Sequence, residues 1–403
     1  MKTVAKSLLA STAILLSATG CRNDSSQEAS KTKVVDIADS QIKWQSIGNC
    51  WVYASIGWVE SLLLRSGQEE SNFSETYLTY RHYQDQLTNR NIDKLQTGGF
   101  WGNGYRRGAM ELIKDYGLMR EGDFIEGEAN ATFSNVQKSA TNAVNKKLAD
   151  DEFRTKLFAA SGQEREDMVI ALLDEAFGVN IKSLEANAIT AQSIQFNDED
   201  GVATDLLAEI NKWNLVNHKS WWSDWRSLSG LTLDALPAVS EFDLTPTQLN
   251  HQKRVMSALN AGEPVVLEWF VDFNALNDEG IFSLETLKEK GPGTQGYHQT
   301  VIEDYVVEVL EDGVWQELPE GDVSQEDKDR AVREGRLKYL IVKNSWGGDD
   351  RFDQASYVVA GKKGYHRLNV DYLYGWMGRK GSDDEVTSGE TGLRGWIFPT
   401  SEY

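Results

Sequence analysis

The chain has 403 residues, and 62 acidic residues against 41 lysines and arginines give it a formal net charge of -21 at pH 7. A surface this acidic argues against nucleic acid and against anionic membrane surfaces as binding partners. The chain is longer than one hydrophobic core usually serves, yet it has only 6 prolines and no long linker divides it. We therefore expect two lobes with an insertion.

Residues 1–20 have the pattern of a secretory signal peptide. Lys2 and Lys6 precede an apolar run over residues 8–16, which is too short to span a bilayer, and small residues follow it. The sequence Ala-Thr-Gly-Cys ending at Cys21 resembles a bacterial lipobox. This resemblance predicts cleavage before Cys21 and acylation of its thiol, which would anchor the protein in a membrane. An ordinary signal peptide followed by an incidental cysteine is the alternative.

Residues 21–41 are expected to form the lipidated cysteine and a flexible tether, because residues 22–40 are polar and largely aperiodic. Arg22, and not an acidic residue, follows Cys21. In enterobacterial lipoproteins this favours export to the outer membrane. We therefore expect a lipid-anchored protein of the bacterial cell envelope, on the periplasmic or surface face of the outer membrane.

Cys50 is the candidate nucleophile. The chain has two cysteines, and Cys21 lies in the processing segment, so Cys50 would be the free thiol of the mature protein. The apolar run 51–64 predicts a buried helix with Cys50 at its N-terminus. There the helix dipole and a nearby protonated histidine would lower the pKa of the thiol into the range of roughly 3.5 to 7.5. A buried structural cysteine is the alternative for such a residue taken alone.

A histidine and an asparagine far downstream are candidate partners of this thiol. His298 opens an apolar run that predicts a strand, and Asn344 follows a second predicted strand over residues 339–342. If these strands pair, Asn344 can accept a hydrogen bond from one imidazole nitrogen while the other nitrogen faces the thiol. Trp346 would then shield the hydrogen bond from water.

Gln45 lies on a short loop before Cys50. Its side-chain amide could donate to the oxyanion that forms when a thiolate attacks a carbonyl carbon, with the backbone N–H of Cys50 as the second donor. A glutamine in a loop is uninformative by itself, so this role depends on the other candidate residues.

In chain order these residues resemble the motifs of the papain-like cysteine peptidases. The positions that match the oxyanion glutamine, the nucleophile, the base and the orienting asparagine are Gln45, Cys50 with Trp51, His298, and Asn344 with Trp346. Gly98 and Gly99 match the strip that lines the family's cleft and bonds to the substrate backbone, which needs a surface without side chains. The resemblance implies that both glycines, Trp51 and Trp346 contact the substrate.

Within the family, the sequence looks nearest to the bleomycin hydrolase and aminopeptidase C branch, and the resemblance covers most of residues 42–375. It implies an α+β fold in which a helical lobe and a β-barrel-like lobe enclose a cleft, with a helical insertion. The expected ranges are 42–126 for the helical catalytic lobe, 127–240 for the helical insertion, and 241–403 for the β-rich catalytic lobe with a C-terminal extension.

The resemblance implies a peptidase that acts on peptides or proteins through a thioester on Cys50. We expect no metal and no other cofactor, because the histidines are scattered and show no metal-ligand spacing. The choice between aminopeptidase and endopeptidase stays open. In the branch a C-terminal segment occupies the cleft, and here the apolar residues 395–399 could do the same or pack elsewhere.

Two other functions stay open at this point. One is a surface lipoprotein that has kept the fold but binds peptides or partners without turnover. The other is a transferase that passes the acyl or peptidyl group to an amine instead of water. The oligomeric state is not predicted by the sequence.

Overall fold

A computed structural model describes most of the chain after residue 36. The described ranges are 37–89, 106–198, 201–217, 244–318, 323–347, 357–359, 362–380 and 386–399. The predicted signal peptide, the predicted lipidation site at Cys21, and Gly98 with Gly99 lie outside these ranges. Within them, no helix combines the length and the apolar character that crossing a membrane would need.

Helices dominate the first half of the described chain. The α-helices are α1 (Cys50–Arg65), α2 (Glu75–Asn89), α3 (Arg106–Tyr116), α4 (Glu121–Phe124), α5 (Val136–Leu148), α6 (Asp151–Ala159), α7 (Gly162–Phe177), α8 (Ile181–Leu184), α9 (Leu206–Lys212), α10 (Pro246–Asn260), α11 (Leu284–Lys290), α12 (Gln325–Glu334) and α13 (Val370–Tyr374).

Strands dominate the second half. They are β1 (Gln195–Asn197), β2 (Ala203–Asp205), β3 (Trp213–Asn217), β4 (Val265–Asp272), β5 (Ile281–Phe282), β6 (Gln295–Glu311), β7 (Val314–Glu317), β8 (Arg336–Lys343), β9 (Tyr357–Val359), β10 (Lys362–Asn369), β11 (Trp376–Lys380), β12 (Val386–Thr391) and β13 (Leu393–Pro399). This segregation of helices and strands along the chain is that of an α+β protein, so the predicted class is confirmed.

Most strands of the second half form one large sheet of nine strands. Its order is β3-β13-β4-β6-β8-β10-β5, with β7 beside β6 and β9 beside β10. The long strand β6 is antiparallel to both of its main neighbours, and its register places His298 opposite Trp269 on β4 and Val301 opposite Lys343 on β8. The predicted strands around His298 and before Asn344 therefore pair, as the sequence suggested.

The C-terminal segment is a strand inside this sheet. β13 lies between β3 and β4, and its Trp396 and Phe398 are fully buried. The apolar residues 395–399 are therefore part of the core and do not plug a cleft. The partner strand β3 belongs to the same sheet, although it falls within residues 127–240, which the sequence analysis assigned to the insertion.

Helix α1 packs against the sheet through β6. Its residues from Cys50 to Leu63 are all buried, which is why the sequence is apolar nearly all round the helix. The helix ends where Gly67 takes a φ of 77°, a conformation that glycine adopts without cost. The prediction of a buried helix beginning beside Cys50 is confirmed.

A buried group of charges lies beside α1. The ammonium of Lys43 donates to both carboxylate oxygens of Glu75, at 2.8 and 2.9 Å, and lies 3.7 Å from Glu60. Burial opposes the charge of Lys43, but Glu60 and Glu75 together raise its pKa above the usual value. Burial also raises the pKa of Glu75 to about 6, even though Lys43 acts in the opposite direction. Each charge in this group therefore depends on its partners.

We expect Lys43→Met to lower the free energy of unfolding by about 3–5 kcal/mol, because it leaves buried carboxylates without their cation. Lys156→Met is the matched control: Lys156 lies 2.7 Å from Glu152 on the exposed surface of α6. Loss of such a solvent-screened pair should leave the free energy of unfolding nearly unchanged. Urea unfolding followed by circular dichroism at neutral pH measures both. Equal effects of the two substitutions would contradict the assigned role of Lys43.

Candidate active site

The thiol of Cys50 lies at the junction of α1 and β6. Cys50 is the first residue of α1 and is 9% exposed. The backbone N–H groups of Gln299 and Trp51 lie close to its sulfur and favour the thiolate. Because Gln299 follows His298 in β6, this contact brings the thiol beside the strand position that carries the imidazole.

The imidazole of His298 is buried between two tryptophans. The ring of Trp346 stacks on it with centroids 4.7 Å apart and an interplanar angle of 22°. Trp269, the cross-strand partner on β4, meets it edge-on at 5.5 Å. These contacts hold the plane of the imidazole and keep water away from one of its faces.

Asn344 follows the last residue of β8 and bonds to the imidazole. Its Oδ1 lies 2.7 Å from Nε2 of His298 and accepts a second hydrogen bond from the backbone N–H of Ser345 at 2.8 Å. A backbone N–H can only donate, so this second bond identifies the accepting atom as the carbonyl oxygen of the carboxamide. Nε2 of His298 must therefore carry a hydrogen, and in the neutral ring Nδ1 carries the lone pair.

Burial favours the uncharged form of both Cys50 and His298. Burial raises the pKa of the Cys50 thiol to about 11, although the N–H groups of Gln299 and Trp51 lower it. Burial likewise lowers the pKa of His298 to about 4, against the hydrogen bond to Asn344, which raises it. Desolvation therefore opposes the thiolate that the helix terminus favours, contrary to the expectation from the sequence. Burial favours a thiol beside a neutral imidazole.

Gln45 is joined to the Asn344 loop. Its Oε1 accepts a hydrogen bond from the hydroxyl of Ser345 at 2.5 Å, and its Nε2 donates to the backbone oxygen of Ile47 at 3.0 Å. Its backbone N–H also donates to the backbone oxygen of Ser345 at 2.9 Å. One of its two amide hydrogens is thus used within its own loop, and the other is the one that an oxyanion would need.

Trp51 does not lie where the family resemblance implied. Its side chain is 1% exposed and meets the ring of His82 edge-on at 4.7 Å inside the helical part of the protein. A substrate cannot reach a side chain buried in this way, so its predicted substrate contact is wrong. Trp346, by contrast, is partly exposed beside the imidazole. Gly98 and Gly99 lie outside the described residues and stay predictions.

The structure adds one residue that the sequence analysis did not select. Nδ2 of Asn344 lies 3.2 Å from Nδ1 of His366, a buried histidine on β10. The only sequence signal for this contact is the position of His366 two residues after Gly364, in a strand that could pair with β8. That pairing could not be read from the sequence.

Comparison with known proteins finds likeness in structure only. No family model matches the sequence, and no curated protein matches it. Among solved structures, the chain is similar to PepW from Lactobacillus rhamnosis HN001, with a TM-score of 0.48 and 13% identity over 94% of this chain and 84% of that one. It is also similar to xylellain, a cysteine protease from Xylella fastidiosa, with a TM-score of 0.38 and 12% identity over 91% and 85%.

A third similar structure is digestive procathepsin L 3 of Tenebrio molitor, with a TM-score of 0.31 and 15% identity over 84% of this chain and 64% of that one. All three likenesses are distant. Any function for this protein must therefore rest on its own residues.

We expect the rate at which iodoacetamide alkylates Cys50 to rise continuously from about pH 6 to about pH 10, because only the thiolate reacts and burial raises the pKa of this thiol to about 11. Mass spectrometry of a form lacking residues 1–21 measures this rate, with Cys50→Ser as the control for labelling elsewhere. A rate that is already constant from about pH 5 would instead show a stable thiolate and imidazolium pair.

Proposed function

We propose that this protein is a cysteine peptidase that hydrolyses peptide bonds through a thioester on Cys50. The observation that carries the proposal is the 2.7 Å hydrogen bond from His298 to Asn344. His298 lies on β6, and the sulfur of Cys50 lies beside the same strand, near the backbone N–H of Gln299. This arrangement supplies a nucleophile, a base with a defined lone-pair nitrogen, and a residue that orients the base.

In the proposed reaction, Nδ1 of His298 takes the thiol proton as the sulfur of Cys50 attacks the carbonyl carbon of the scissile bond. The C–N bond then breaks, and the imidazolium gives its proton to the departing amine. Water, activated by the same nitrogen, hydrolyses the thioester and restores the thiol. Proton transfer during attack suits a pair that is neutral at rest, because no buried charges have to be maintained between turnovers.

The oxyanion of the tetrahedral intermediate needs hydrogen-bond donors. The backbone N–H of Cys50, at the first turn of α1, and the remaining amide hydrogen of Gln45 are the donors that we assign to it. One such donor is commonly worth about 2.7–4 kcal/mol of transition-state stabilisation. The hydrogen bond from Ser345 to Oε1 of Gln45 would hold the amide while it donates.

The soluble form that lacks residues 1–21 offers a clean test, because Cys50 is then the single cysteine left of the two in the chain. We expect this form to hydrolyse peptides and to gain the mass of one peptidyl-epoxide inhibitor. Cys50→Ser should abolish hydrolysis and labelling. His298→Ala should lower the rate of each at least about 100-fold, in line with the usual contribution of a general base.

The same experiment separates the other functions. Tight peptide binding without turnover, unchanged in Cys50→Ser, would identify a binding protein. Amide adducts formed when an amine acceptor is supplied would identify a transferase. Release of single residues from the N-terminus would identify an aminopeptidase, and internal fragments would identify an endopeptidase. Turnover that survives in Cys50→Ser would contradict the proposal.

We also propose that the mature protein is anchored through lipid on Cys21, in a bacterial envelope membrane. The support is the sequence pattern alone, since residue 21 lies outside the described part of the chain. We expect a labelled fatty acid to be incorporated into the wild-type protein and not into Cys21→Ser, which should also leave the membrane fraction. Equal incorporation in both proteins would contradict the anchor.

A further inference from the structure

We propose that His366 is a positioning residue, which holds the carboxamide of Asn344 with its oxygen towards His298. This inference rests on the proposed function, because it assigns a role in the reaction of Cys50. It extends the site from a thiol, an imidazole and a carboxamide to a row in which the carboxamide lies between two imidazoles.

The sheet register brings His366 and Asn344 together. His366 lies opposite Val342 where β10 pairs with β8, and the backbone N–H of Asn344 donates to the oxygen of Gly364 at 3.0 Å. Asn344 and His366 are therefore diagonal neighbours on the same face of the sheet. A side chain at position 364 would not fit, because its Cβ would lie 2.5 Å from Ile42 and φ is 105°. The glycine thus lets Ile42 pack against the strand beside His366.

The directions of the hydrogen bonds follow one from another. Because the backbone N–H of Ser345 donates to Oδ1 of Asn344, the atom that faces His366 is Nδ2, which can only donate. Nδ1 of His366 must then be an acceptor. A carboxamide rotated by half a turn would place its NH₂ group against the Ser345 N–H and against the hydrogen on Nε2 of His298. The Ser345 N–H thus selects the orientation, and an acceptor at Nδ1 of His366 would hold the other end of the carboxamide in it.

His366 is held firmly enough to act in this way. It is 2% exposed, and its ring meets Trp346 edge-on at 5.2 Å and Phe282 at 5.7 Å. Trp346 thus contacts both imidazoles, by stacking on His298 and by its edge on His366. A leucine would fill a buried site of this kind without the cost of desolvating a polar ring. The acceptor nitrogen is what histidine supplies here and leucine cannot.

The test compares two substitutions at one position. His366→Leu removes the acceptor that faces the buried NH₂ group of Asn344. In His366→Asn the new Oδ1 lies the same number of bonds from the backbone as Nδ1 of the histidine and can accept in its place. Peptide hydrolysis is expressed per active site, counted by titration with the epoxide inhibitor. We expect His366→Leu to lower kcat by about 5-fold to 150-fold with KM unchanged, and His366→Asn to restore most of the loss.

Leu368→Ala is the matched control for simple destabilisation, because Leu368 is fully buried on the same face of β10. It should lower the melting temperature and the number of titratable sites, yet leave kcat per site unchanged. If His366→Leu and His366→Asn lose kcat equally, or if the loss in His366→Leu disappears when activity is expressed per titrated site, His366 is a structural residue only.

Alkylation of Cys50 separates failure of this inference from failure of the proposed function. If the wild-type protein hydrolyses no peptide, the peptidase proposal fails, but the rate of alkylation at neutral pH still reports whether His298 is placed to accept the thiol proton. Slower alkylation in His366→Leu, restored in His366→Asn, would then support the positioning role. Equal rates in the wild-type protein and both variants would overturn it.

Discussion

The candidate site depends on a single backbone hydrogen bond, from the N–H of Ser345 to Oδ1 of Asn344. A backbone donor cannot reverse its role, so it fixes which end of the carboxamide accepts. From that constraint follow the hydrogen on Nε2 of His298, the lone pair on its Nδ1, and the acceptor role of His366. Without this bond the backbone would no longer select which end of the carboxamide accepts, and the proposed contact with His366 would have to define the tautomer of His298 by itself.

A second physical balance sets the charge of the candidate catalytic groups. The thiol of Cys50 has the first turn of a helix and two N–H donors beside it, all of which favour a thiolate, yet desolvation is larger and keeps the thiol protonated. The balance is the opposite at Lys43. Carboxylates lie 2.8–3.7 Å from its ammonium, and they raise its pKa although burial lowers it. Burial alone therefore does not decide charge here: neutral N–H donors do not offset desolvation at Cys50, whereas charged carboxylates do so at Lys43.

The loop of Gln45 joins the two halves of the site. Its backbone N–H donates to the oxygen of Ser345, and the N–H of Gly347 donates to the oxygen of Lys43. These bonds align residues 43–45, just before α1, with the turn that follows β8. Gln45, the proposed oxyanion donor, and Asn344, which orients the imidazole, thus belong to one hydrogen-bonded unit. The same unit includes Lys43 of the buried charge group. A shift of either segment would disturb both.

The amino-acid sequence by itself determined the local features. Apolar periodicity is a property of neighbouring residues, so it was enough to predict the helix that starts at Cys50 and the two strands that bring His298 and Asn344 together. Tertiary structure decided what depends on distant segments. Burial reversed the expected pKa of Cys50, enclosed Trp51 and made residues 395–399 a core strand, while the register of β8 against β10 brought His366 to Asn344. Desolvation and strand register arise only when segments far apart in the chain pack together, so no local pattern encodes them.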